Sequence, residues 1–163
     1  MNRTGSMDEF NRLLLQGCTY FVDDLYMSEL ELLNQVNPYE LPPKETADVL
    51  IEAYFSTIFT VFPIISQREF MTHYNSYWQL RDHPNNNFLW VSILNAVFAL
   101  GALHSHCVQA SYKGPENDHI IYSLRARMIS QELTHVLNLP TMEHIQLTAL
   151  TGMYFIASYQ INR

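Results

Sequence analysis

The stretch Phe88 to Cys107, FLWVSILNAVFALGALHSHC, is apolar on every side of a helix and contains no proline. A helix that is hydrophobic all round has no face to offer water, so it belongs in the interior. At about 100° per residue, Ser92, Asn95, Ala96, Ala99 and Ala102 form a stripe of small side chains. Trp90, Leu94, Val97 and Phe98 fill the opposite side with bulk. The small stripe lets a neighbouring helix come close, and the bulky one anchors a core. A membrane span is the rival reading, and a span needs roughly 20 predominantly apolar residues. Ser92 and Asn95 interrupt this run and it fades at His104. The expectation is therefore a core helix and no membrane.

The remaining sequence reads as a sheath for that rod. With 163 residues, 48% hydrophobic and 15% charged, the chain has enough apolar material for one sizeable core, and so for one domain or part of one. Five glycines are too few for a glycine-rich phosphate loop or a many-turned all-β fold, and the seven prolines fall at helix ends or connections. The predicted fold is all-α, an irregular multi-helix bundle around a central buried helix running from about Asn87 to Cys107. Cys18 and Cys107 supply neither a metal cluster nor a disulfide framework, which points to a reducing, intracellular setting. No charged segment followed by an apolar one opens the chain, so no secretory signal is read.

The net charge of −7 is uneven. Residues 1–52 hold ten acidic side chains against Arg3, Arg12 and Lys44, whereas the remainder holds six of each sign. Nucleic-acid binding needs clustered cations to displace counterions from phosphates, and these are few and scattered. Direct contact with DNA by this chain is not expected.

Residues 1–6 read as a disordered leader or a cloning remnant, and residues 7–40 as an acidic amphipathic segment. Within it a helix is expected over residues 23–36, its acidic start matching the helix dipole. Asp23, Asp24, Leu25, Tyr26, Leu30 and Leu33 are the candidate partner-binding residues, because acid interleaved with bulk is the pattern of an activation-type docking segment. An ordinary surface helix has the same composition. Asp23 and Asp24 with Glu29 also suggest a magnesium-diphosphate site of a prenyl-type enzyme. The spacing after the pair and the absence of a second carboxylate cluster argue against it.

Further helices follow from the punctuation. After Leu41-Pro42-Pro43, with Pro43 suited to the first helical position, Ala47, Leu50, Ile51, Tyr54, Ile58 and Val61 make a buried stripe ending at Phe62-Pro63. Ser66 and Glu69 form a capping-box pattern, opening a helix to about Gln79 that buries Phe70, Tyr74, Tyr77 and Trp78. Asn86 or Asn87 caps the central helix, and Asn117 or Asp118 the next. That next helix has Ile121, Leu124, Met128, Ile129, Leu133 and Val136 on its apolar face and Arg125, Arg127 and Glu132 off it. Thr141 caps the last helix, whose stripe is Ile145, Ala149, Leu150, Met153, Ile156 and Ala157. Its run to the end of the chain suggests the front part of a longer domain.

Chemistry-bearing patterns are sparse. His104, His106 and Cys107 cluster in sequence, but on a helix the two histidines point about 200° apart. Only His104 and Cys107 share a side, and a zinc site wants four ligands, so no metal is assigned. No nucleophile elbow or Cys-His pairing is present, and no catalytic residue is assigned. Tyr54, Tyr74, Trp78 and Trp90 are the candidate lining of a small-molecule pocket, while core packing explains the same aromatics more simply.

LPPKETADVLIEAYFSTIFTVFPIISQREFMTHY resembles the opening of the fungal-specific transcription factor domain, or middle homology region, of the binuclear zinc cluster regulators. The matching positions are Leu41-Pro42, Leu50, Tyr54-Phe55, Phe62-Pro63-Ile64 and Phe70. Ala99-Leu100-Gly101-Ala102, then Tyr122, Arg125, Ala126 and Arg127, then Pro140, Ile145, Gln146, Leu147 and Leu150 continue the family's order through about Tyr159. The six cysteines of the family's zinc cluster and a later Arg-Met-Ala block are absent, so the resemblance covers the N-terminal part of the regulatory domain, residues 41–163.

The resemblance implies a non-enzymatic, nuclear regulatory domain whose zinc and DNA contacts lie in another region of the family; outside the family the location would be cytoplasmic. The implied partners are proteins of the transcription machinery or a full-length relative, with room for a small-molecule effector and for a homo-oligomer. A magnesium-dependent prenyl-diphosphate-type enzyme, or a truncated relative that pairs with and dampens a full-length factor, are the alternatives.

Overall fold

The computed structural model describes residue 32 and residues 35–79, 87–134 and 141–161. They form six helices: α1 Lys44–Ser56, α2 Ile58–Val61, α3 Gln67–Gln79, α4 Phe88–Cys107, α5 Asp118–Thr134 and α6 Met142–Ile161. No strand occurs among the described residues, as the all-α reading expects. Helix α4 is the hub and packs against α1, α5 and α6. Leu94, Val97, Phe98, Ala99 and Leu100 are wholly enclosed, as are Ser92 and Asn95. By length and composition α4 would serve as a membrane span, yet 83% of that window is covered by the molecule itself.

Opposite the small stripe on which it is expected, and on the side that carries Trp90, Leu94, Val97 and Phe98, the close approach on α4 comes at Gly101. A methyl group there would sit 2.1 Å from the Leu50 carbonyl oxygen, so the absence of a side chain sets how closely α1 crosses α4. The Tyr122 ring meets Phe98 at 5.5 Å and draws α5 onto the next face. Helix α3 joins through aromatics: Phe55 on Phe70, Phe70 on Trp90 and Tyr77 on Trp90, at 5.5, 6.2 and 5.2 Å.

The caps follow the sequence. The Asn87 side chain accepts from the Trp90 amide at 3.2 Å, Ser66 from Glu69 at 3.4 Å and Thr141 from His144 at 3.4 Å. The Asp118 carboxylate instead turns to His106. Pro43 stands one residue ahead of α1, extended at φ −51° and ψ 149°.

Three expectations are corrected. The helix read through to Phe62 breaks at Thr57 (φ −126°, ψ −81°), where the Ser56 and Thr57 hydroxyls bond back to the Glu52 and Ala53 carbonyls. Beyond the break Ile58 and Phe59 still pack against the core, but Val61 is left 68% exposed. Arg125, expected off the apolar face of α5, is buried. Its Nε donates to the Asn37 carbonyl at 3.0 Å and its Nη2 to Glu40 at 2.5 Å, pinning the segment before α1 onto α5. Finally, α6 is rotated from the expected stripe. Leu147, Leu150, Tyr154 and Ser158 face the core, while Ile145 and Ile156 are each 59% exposed. Both faces of α6 are apolar, so periodicity alone did not fix its rotation. Val136 lies outside the described residues.

Candidate functional site

Asp23, Asp24, Leu25, Tyr26, Leu30 and Leu33 lie outside the described residues. The four aromatics read as a pocket lining are placed in or beside the core. Tyr54 and Tyr74 are enclosed, Trp90 is buried and Trp78 is half-buried. Tyr74 and Trp78 touch edge to face at 6.1 Å, while Tyr74 and Trp90 border different openings. Tyr74 borders a groove of about 460 Å³ between α1 and α3, with Asp48, Phe55 and Met71. Trp90 borders a smaller cleft of about 210 Å³ beside Phe70 and Met142. In the first groove the Tyr74 hydroxyl donates to Asp48 at 2.7 Å, and Lys44 reaches the other carboxylate oxygen at 2.6 Å. Burial acts to raise the Asp48 carboxyl; these two donors overcome it and hold it below the usual range. Burial and the neighbouring Asp48 push the Tyr74 hydroxyl well up.

The richest polar cluster lies where α4 ends and α5 begins. His106 Nε2 and Asp118 Oδ1 are 2.9 Å apart, and Asp118 is buried. His119, next in sequence, faces the His106 ring at 5.8 Å and places its Nδ1 2.9 Å from the Tyr154 hydroxyl on α6. Burial, and then the nearby His106, lower the His119 pKa to about 4, so its ring is neutral at ordinary pH. A methyl group on Gly114 would sit 2.1 Å from Asp118 Oδ2, so the turn fits only glycine while that carboxylate stays put. Around this cluster opens a cleft of about 470 Å³ bordered by Leu103, Gln109, Lys113, Glu116 and Ser158. Such a site offers hydrogen bonds of both kinds to a small polar molecule.

The sequence reading weighed His104, His106 and Cys107 together, whereas the fold joins His106 to Asp118 and His119. Cys107 bonds its own helix, donating to the Leu103 carbonyl at 2.9 Å, and burial raises its thiol pKa. No group of three metal-ligating side chains occurs among the described residues. The Lys113-Gly114-Pro115 turn, a plain turn signal in the sequence, brings the start of α5 back beside the end of α4.

A second surface is the outward side of α6. Met142, Ile145 and Ile156 are 68%, 59% and 59% exposed. Ala149 and Gly152 lie between them, half-buried, and a methyl group on Gly152 would meet nothing within 4 Å. By contrast, α3 turns Arg68, Thr72, Asn75 and Ser76 to solvent.

Comparison with known proteins places these surfaces in context. The Fungal specific transcription factor domain matches residues 51–163. Over 145 residues, 89% of this chain and 17% of the relative, the sequence is 26% identical to a protein named transcription regulator galc from Aspergillus niger. It is 31% identical to transcription factor FBD3 of Gibberella moniliformis, over 69% of this chain and 16% of that protein. It is 37% identical to the lactose regulatory protein LAC9 of Kluyveromyces lactis, over 38% of this chain and 7% of that protein. The chain thus spans at most 17% of the length of these relatives. No solved structure matches.

Proposed function

The chain belongs to the Fungal specific transcription factor domain family, and on that premise we propose that it is a non-enzymatic regulatory module that acts in the nucleus through contacts on its helix surfaces. DNA binding in this reading is the work of a zinc cluster region that these residues do not include. The observation that carries it is α6, apolar on the side facing the core and again on the side facing solvent. A helix hydrophobic all round is made to be covered on both sides, and an exposed apolar face is the usual mark of a protein-contact surface.

A second reading is supported by the cleft at His106, His119 and Lys113. Its volume of about 470 Å³ and its mixed donors and acceptors suit a small polar effector, which would bridge α4, α5 and α6 and so reach the same helix. The test is a fusion of the whole chain to an unrelated DNA-binding domain in a fungal reporter strain. Reporter output should depart from that of the DNA-binding domain alone. Equal output at equal expression would contradict a regulatory role.

A further inference from the structure

We infer that the cleft bordered by the starts of α3, α4 and α6 is a binding site for a small organic ammonium compound that also carries an oxygen acceptor. It is separate from the cleft at His106 and measures about 210 Å³, room for a small molecule and not for a peptide segment. Glu69 in the first turn of α3 and Glu143 in the first turn of α6 border it, together with His73, Gln146 and the Phe70 and Trp90 rings.

Charge selects the ligand. The helix dipole accounts for an acidic residue in each first turn, but not for two that border one cleft. Among the described residues neither carboxylate has an ion-pair partner, and no lysine or arginine borders the cleft. An anion would be repelled, and a neutral molecule would gain nothing from the paired charge. A metal ion is disfavoured, because Glu69, Glu143 and His73 do not make a ligating group of three. An ammonium group meets two carboxylate acceptors beside an aromatic wall, where Phe70 and His73 lie 6.2 and 6.3 Å from the Trp90 ring.

Trp90 supplies the second requirement. It is only 7% exposed, and its indole N–H has no acceptor among the described residues. Buried donors are normally paired, so the bound molecule should bring an oxygen to this N–H. The Gln146 side chain, half-buried, offers a further amide donor to the same molecule.

This inference goes beyond the regulatory reading and fails separately from it, since binding is measured on the purified chain and regulation in the reporter strain. The chain holds two tryptophans, so Trp78→Phe leaves Trp90 emission as the signal. The probes are L-leucinamide and D-glucosamine, both amines with oxygen acceptors, used at about pH 6.5 so that they are protonated. Their uncharged counterparts are N-acetyl-L-leucinamide and D-glucose. At least one amine should give a saturable change below about 10 mM, and bind at least about tenfold more tightly than its counterpart. Glu69→Gln and Glu143→Gln should each weaken it about tenfold with helix content by circular dichroism unchanged, whereas Glu52→Gln, in the groove between α1 and α3, should not. No saturable response to either amine up to about 10 mM would overturn the proposal. Equal affinity for an amine and its counterpart, or binding unmoved by both substitutions in the cleft, would overturn it equally.

Discussion

His119 illustrates how a residue of bland appearance in the sequence acquires a character from the fold. Its ring is largely enclosed between His106 and the Tyr154 hydroxyl, and its pKa falls from 6.5 to about 4. The unfolded chain therefore takes up a proton on this residue below about pH 6.5 that the folded chain refuses until about pH 4. Because the folded pKa is depressed, stability is retained above the unfolded value and lost as pH falls through that window. The loss attributable to His119 is about 2 kcal/mol after allowing for its partial exposure. Thermal unfolding between pH 7 and 4 should show a steeper decline for the native chain than for His119→Gln. Parallel profiles would mean that the ring is protonated in the fold.

Helix against helix, the decisive approach is α1 on α4, and two glycines separate the effects of packing and propensity. Gly101→Ala forces a methyl group to within 2.1 Å of the Leu50 carbonyl oxygen, a backbone atom that moves only with its helix. It should destabilise the chain by about 1–3 kcal/mol in chemical denaturation. Gly152→Ala meets nothing and gains helix propensity, so at low protein concentration it should stabilise by up to about 1 kcal/mol. Two losses of equal size would contradict the assigned crossing.

At this scale the sequence was a good guide where one signal dominated. Helix α4, the Ser66, Asn87 and Thr141 caps and the limits of α3 follow from composition and capping chemistry alone. It was a poor guide where two signals were balanced. Ile145 and Ile156 were placed inward because α6 offers apolar residues on both sides, and only Tyr154 and Ser158, polar groups turned inward, reveal the true rotation. Arg125 was placed outward as a charge, although Glu40 and the Asn37 carbonyl await it in a segment 85 and 88 residues away. The polar cluster was half legible: His106 was singled out, but Asp118, His119 and Tyr154 reach it only through the tertiary fold.

For the molecule as a whole, the same apolar character has opposite consequences in two helices. On α4 it is satisfied within the chain, since α1, α5 and α6 cover it and α3 closes one end with aromatic rings. On α6 it is satisfied on one side only, and Met142, Ile145 and Ile156 are left exposed on the other. The regulatory reading depends on this division, because a surface can signal only if the core beneath it holds its shape. Hydrogen exchange along the chain, read peptide by peptide by mass spectrometry in dilute aqueous buffer, tests that division most directly. The amides of Phe88–Cys107 should be the last to exchange, opening only with global unfolding. Exchange of that segment as fast as that of the exposed turn around Val61 and Phe62 would contradict a helix enclosed by its neighbours.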